Sequence, residues 1–249
     1  MSGKSFLAGV LATVLLGAWV ALVWHWTVTR AAGPGPERSW SPAEQQIVER
    51  YMAGPLPRKL QIGAGPNNLP GWLNSDIEPA REQVYLDATR PLPFPDGSFH
   101  YVYAEQLIEH ISYESTVRLL GECRRVLAPG GRVRLATPDV GQVARLMDAK
   151  KTPVQQKLMG HLIHANGAPR TPTPECATVN LLFRAWGHQF LYDAPSLRAT
   201  LEQAGFRSVT RHLLGESDDE HLRGVEMHWR IDGRDLDEYT SMFFEATRP

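Results

Sequence analysis

Short strand-like runs alternating with amphipathic helical stretches constrain this chain more than any other feature. Lys59-Leu60-Gln61-Ile62 closes on Gly63-Ala64-Gly65, and residues 72–77, 84–87 and 99–104 follow as further extended runs. The last of these is launched by the turn residues Pro95-Asp96-Gly97-Ser98. Residues 112–127 then place Thr116, Leu120, Cys123 and Leu127 on one helical stripe, stopped by Pro129-Gly130-Gly131. An extended run at 132–137, a helix at 197–204 ending at Gly205, and strands at 208–214 and 225–231 complete the pattern. Strands separated by helices must pair largely in parallel, so the expected architecture is α/β with three layers. Ser41-Pro42-Ala43-Glu44 carries an N-cap, a first-turn proline and a capping-box glutamate, which predicts a helix to about Met52 at the start of the domain.

No Asp, Glu, Lys or Arg occurs from residue 5 to residue 29. That run is long enough to cross a hydrocarbon layer of about 30 Å as a helix, and it exceeds the apolar core of about 7 to 15 residues in a secretory signal. Trp19, Trp24 and Trp26 gather toward its carboxyl half, where an interfacial belt would sit. Residues 1–30 are therefore expected to be a single transmembrane anchor and 31–39, rich in Pro and Gly, a linker. The remaining 40–249 form one folded domain. Residues 151–187, with four prolines and no sustained period, are expected to be an irregular insertion forming a lid over the ligand crevice.

Charge excludes other classes. With 26 basic against 27 acidic residues there is no general basic field for nucleic acid, and two cysteines make neither a disulfide framework nor a thiolate zinc site. His161, His164, Cys176 and His188 are too irregularly spaced for a zinc site, so no metal is expected. Arg124, Arg125, Arg132 and Arg134 are read as solvated charges at the edge of a helix and a strand.

Gly63-Ala64-Gly65 lets backbone approach a ligand at the carboxyl edge of a parallel sheet. A dinucleotide fold needs a third glycine, and that slot holds Asn68, so a nicotinamide-dependent oxidoreductase is the weaker reading. A ligand of adenosine without phosphates needs no helix N-terminus aimed at it. Asp76, at the end of the second strand, has two carboxylate oxygens suited to vicinal hydroxyls, whereas Asp87 serves equally as a cap for the Thr89-Arg90-Pro91 turn.

In these motifs the chain resembles the class I S-adenosylmethionine-dependent methyltransferases of the type 11 group. LQIGAG is similar to that family's first motif, LPFPDGSFHYVYAEQLIEHI to its fourth-strand segment, and ECRRVLAPGGRVRLATPD to its helix, turn and fifth strand. NLLFRAWGHQFLYD, LEQAGF and LRGVEMH resemble a subgroup of predicted methyltransferases. The resemblance implies a Rossmann-like methyltransferase fold with a mainly parallel seven-stranded sheet whose last strand is antiparallel. It implies S-adenosyl-L-methionine as cofactor, held by Ile62, Gly63, Ala64, Gly65, Asp76, Ile77, Asp87, Ala88 and Glu105. Asp76 would meet the ribose and Asp87 the adenine. The chain departs from the family at Gln61, where an acid is common, and in having only residues 66–71 where a first helix is usual.

Methyl transfer is an in-line displacement, so positioning dominates and a base is optional. Glu105, His110 and His188 are the candidate catalytic groups for an acceptor hydroxyl or amine. The acceptor is expected to be a small molecule, a sugar or a lipid, and a silent scaffold of the same fold is the alternative. The cofactor's cytoplasmic supply and the two unpaired cysteines place the expected domain on the cytoplasmic side of a single-pass anchor.

Overall fold

The computed structural model describes residues 38–165 and 171–249. The apolar run at 5–29, residues 31–37 of the linker and residues 166–170 of the expected lid lie outside those residues. Among the described residues no helix is long and apolar enough to cross a membrane.

Helix α1 (Pro42–Met52) opens the domain with the expected capping box: Ser41 N donates to Glu44 Oε2 at 2.8 Å and Glu44 N to Ser41 Oγ at 3.3 Å. Glu44 is buried and its other oxygen accepts from Tyr85 N at 2.8 Å. The cap residue thereby docks the helix against the sheet edge.

The strands β1 (Lys59–Ile62), β2 (Leu73–Asp76), β3 (Val84–Tyr85), β4 (Phe99–Glu105), β5 (Leu127–Pro138), β6 (Arg207–His212) and β7 (Ser241–Thr247) form one sheet in the order β3-β2-β1-β4-β5-β7-β6. The first five pair in parallel, and β7 runs antiparallel between β5 and β6. The sheet is thus mixed, with the seven strands and single reversed strand that the resemblance implied. Helix α2 (Tyr113–Val126) is capped by Ser112 and buries Thr116, Leu119, Leu120, Cys123 and Val126 against it. The main core gathers these with Leu60, Val102, Val133, Phe206 and Phe244.

Three expectations need correction. The last strand is Ser241–Thr247 rather than 225–231. β7 is buried on both faces along nearly its whole length, which calls for the nearly continuous apolar run of Met242, Phe243, Phe244 and Ala246. In 225–231 the alternation of Val225, Met227 and Trp229 with polar residues imitates a half-covered strand, but this stretch is a loop leading into the short helix α7 (Trp229–Asp232).

Second, the described part of 151–187 is largely helical. It holds α4 (Pro153–Ala165) and α5 (Pro174–Arg184), which pack on each other, α5 also on the preceding α3 (Val140–Ala144) and α4 on α8 (Arg234–Thr240), which follows α7. Leu158, Leu162 and Leu182 join Val143, Leu146 and Leu236 in a satellite core. Pro153 and Pro174 stand at helix starts, where a missing N–H costs nothing, so they mark beginnings instead of breaking helices. Between these and β6 lies α6 (Ala194–Gln203), the helix expected at 197–204, capped by Asp193.

Third, Arg134 is fully buried. Its guanidinium pairs with Glu226 and, across the β5–β7 ladder, with its register partner Glu245. Desolvation raises the Glu226 carboxyl while the guanidinium opposes it. Breaking such an assembly by removing one partner strands the others. Arg134→Ala is expected to cost about 3–5 kcal/mol, read as a lower urea midpoint of the purified chain by circular dichroism. A loss below about 1 kcal/mol would place those carboxylates in contact with water.

Candidate functional site

The carboxyl ends of β1, β2 and β4 open onto a cavity of about 1070 Å³. Its location follows from topology, because β1 is where the strand order reverses and the connections leave a crevice. All of the residues expected to hold a cofactor line it, together with His110 and His188.

The glycine turn is the first wall. Gly63 has φ +72° and Gly65 φ +51°, and a Cβ on Gly63 would stand 2.9 Å from Leu107 Cδ1. Gly65 N donates to Asp76 Oδ2 at 2.9 Å, and Glu78 N donates to Asp76 Oδ1 at 2.9 Å. Asp76 thus braces the turn while its oxygens keep further lone pairs, so it can hold hydroxyls and shape the loop at once. Asp87 caps its own turn: Oδ1 accepts from Thr89 N at 2.9 Å and from Thr89 Oγ1 at 2.7 Å. The turn-capping role is therefore present, and Asp87 still lines the cavity.

Where a first helix is usual, side-chain amides hold the connection from β1 to β2. Gln61 Nε2 donates to Asn67 O at 3.1 Å, and Gln61 Oε1 accepts from Leu69 N at 3.2 Å. Asn74 Oδ1 also accepts from Leu69 N, at 2.9 Å. Gln83 Nε2 donates to Gly65 O and to Asn68 Oδ1, each at 2.7 Å. Gln61, the departure from the family, serves as a strut of this loop. The run of Asn67, Asn68, Asn74 and Gln83 was the available sequence signal for it, since amides donate and accept at once.

Glu105, at the end of β4, is buried and doubly engaged. Its oxygens accept from Met227 N and His228 N at 3.0 Å, which pins the 226–228 loop to the sheet. Burial raises its carboxyl pKa, opposed by those two amides. As placed, Glu105 is a clamp facing the cavity more than a free base. Gln106, beside it, has φ 49°, a left-handed conformation unusual for a side-chain-bearing residue.

His110 and His188 meet with ring centroids 4.9 Å apart. His188 Nδ1 lies 2.6 Å from Leu182 O, and a carbonyl only accepts, so Nδ1 carries the proton and Nε2 the lone pair. Burial lowers the His188 pKa, which favours the neutral ring. Glu109 is fully buried; desolvation pushes its carboxyl up to about 7, against a 2.9 Å bond from Thr137 Oγ1. Helix α2 does not need it, because Ser112 is the cap.

The wall opposite the glycine turn is apolar: Val143, Leu158, Leu162, Leu182, Trp186 and Leu236. Most of it, Leu158, Leu162, Leu182 and Trp186, comes from the segment read as a lid, whose local structure is helical. His161, His164 and Cys176 do not join His188 in a cluster among the described residues.

Residues 67–135 match a family described as a methyltransferase domain. Over those residues the match supports the resemblance to the class I S-adenosylmethionine-dependent methyltransferases of the type 11 group. The matched span contains Asp76, Ile77, Asp87, Ala88, Glu105 and His110, and begins just after the glycine turn. A 37.1 kDa protein of transposon TN4556 from Streptomyces fradiae is 24% identical over 117 residues, 37% of this chain and 33% of that protein. A methyltransferase from Mesorhizobium loti is 15% identical with a TM-score of 0.46, covering 83% of this chain and 99% of that one. A phosphoethanolamine N-methyltransferase from Haemonchus contortus is also 15% identical, with a TM-score of 0.42 and coverage of 83% and 53%. The chain thus spans about a third of the transposon protein and about half of the Haemonchus enzyme. The resemblance to the family rests on residues 67–135 and not on these likenesses.

Removing the Glu105 carboxylate leaves the Met227 and His228 amides without acceptors, at about 1–3 kcal/mol. In Glu105→Ala, hydrogen exchange at these two amides is expected to accelerate at least about tenfold while the β5 amides keep their protection. Unchanged exchange at 227 and 228 would remove Glu105 from the role of clamp.

Proposed function

We propose that this chain transfers the methyl group of S-adenosylmethionine to an acceptor bound against the apolar wall of the cavity. The observation that carries the reading is Asp76, a strand-end carboxylate lining the crevice beside the glycine turn and inside the span matched by the methyltransferase family. In this reading Asp76, Ile77, Asp87 and Ala88 take the adenosine, and Ile62, Gly63, Ala64, Gly65 and Glu105 face the methionine portion. The acceptor's lone pair attacks the methyl carbon, the carbon–sulfur bond breaks, and its electron pair stays on sulfur. The acceptor proton leaves to His188 Nε2, to His110 or to water, the neutral His188 ring supporting the first of these; where the imidazole lone pairs are taken up by a bound cation, the proton leaves to water. The leucine-rich wall favours an acceptor with an apolar body, such as a lipid, over a bare sugar.

The scaffold reading has one observation in its favour, the engagement of Gln61 and Glu105 with backbone instead of open space. It predicts cofactor binding without turnover. Membrane anchorage through residues 5–29, with the domain facing the cytoplasm, completes the proposal; the support is the charge-free run together with the site of cofactor synthesis.

Calorimetry of the full chain in detergent micelles is expected to show S-adenosylmethionine binding that weakens about tenfold or more in Asp76→Ala, the equivalent of a lost charge-assisted bond. Slower hydrogen exchange across α4 and α5 in the same titration would support their role as a lid. An unchanged dissociation constant in the variant, or no binding by the natural chain, sinks the assignment of Asp76. Reporter fusions at Pro249 are expected to give signal from an enzyme active only in the cytoplasm; signal from its extracytoplasmic counterpart would contradict the topology.

A further inference from the structure

Glu109, His110 and His188 each bring one ligand atom to a common point, all of these atoms within 4.8 Å of one another. Two come from the turn after β4 and one from the far side of the α5 connection, so the convergence is tertiary and no spacing in the sequence announces it. Two independent features fit a ligand at that point. Glu109 is wholly buried, and its Oε1 reaches no donor of another residue among the described residues, although its Oε2 accepts from Thr137. An uncompensated buried carboxylate oxygen is costly and invites a cation. His188, in turn, donates its Nδ1 proton to Leu182 O, the outer arrangement that fixes a ring with Nε2 ready to coordinate.

We propose that Glu109, His110 and His188 form a binding site for a first-row divalent transition cation beside the methyl-transfer cavity. Two imidazoles and one carboxylate suit manganese, iron or zinc, whereas magnesium and calcium prefer all-oxygen shells. Bonds of about 2.0–2.2 Å at tetrahedral or facial angles put the ligand atoms about 3–3.6 Å apart, so the widest separation closes by about an ångström or more on loading. His188 follows the turn Ala185–Gly187, in which Trp186 holds φ 56°, and this connection is where the adjustment falls. Three protein ligands leave positions open toward the cavity that His110 and His188 line, where an acceptor oxygen completes the shell. That last role rests on the proposed methyl transfer; occupancy of the site does not.

The test is titration of the full chain, in detergent and freed of metal by chelation, with manganese(II) followed by electron paramagnetic resonance. About one ion per chain is expected, with nitrogen couplings from two imidazoles. His188→Gln should lose one coupling, and both it and Glu109→Gln should bind at least about tenfold more weakly. S-adenosylmethionine titration of the same samples verifies that the variants are folded and reports separately on the cofactor reading. A natural chain that binds no manganese with nitrogen couplings at about 1 mM overturns the proposal. So does a His188→Gln chain that binds with unchanged affinity and couplings.

Discussion

Arg134 sits on a strand covered on both sides, and a guanidinium sealed there persists only if carboxylates come to it. Glu245 arrives across the β5–β7 ladder, which selects which strand lies beside β5 and in which register. Glu226 arrives from the loop before α7, which ties that loop to the sheet. One residue further on, the amides of Met227 and His228 donate to Glu105 at the end of β4. A chain of charge and backbone contacts thus runs from the middle of the sheet to the floor of the cavity. The shape of the site depends on a buried ion cluster that is not itself in the cavity.

The opposite wall shows a different solution to the same problem. A short β1–β2 connection cannot satisfy its backbone groups by helix formation, so buried donors and acceptors need other partners. Gln61, Asn74 and Gln83 supply them, and Gln61 takes the place of an acid by acting as a strut. Asp76 then holds Gly65 N while its oxygens keep lone pairs beyond that bond. The left-handed conformations of Gly63 and Gly65 are what allow that close approach.

The cavity therefore has two chemically distinct halves. Carboxylates and a glycine turn surround one, and a satellite core of leucines walls the other. Between them stand the two histidines with Glu109 buried alongside. Most of the wall of leucines is built by α4 and α5, and these helices carry a core of their own, which gives them a stable docked position.

The sequence by itself determined the layered α/β class, the positions of β1 to β5 and α2, and the residues at the strand ends. These follow from local physics: apolar periodicity, turn residues and caps act within a few residues of one another. That Asp76, the glycine turn, Glu105 and His110 line the crevice was legible because strand ends in such a fold face it. What the local pattern could not carry was partner choice. VEMHWRI alternates as well as a half-covered strand does, yet the place between β5 and β6 went to SMFFEAT, because only burial on both faces distinguishes the two. The prolines of 151–187 read as breaks until their places at helix starts were fixed by packing on α3 and α8. Arg134 looked like one solvated arginine among several, and only the arrival of Glu226 and Glu245, 92 and 111 residues away in the chain, makes it an interior charge. The junction of Glu109, His110 and His188 is of the same kind: a coordination geometry is a property of distances in space, and sequence spacing fixes those only within a single helix or strand.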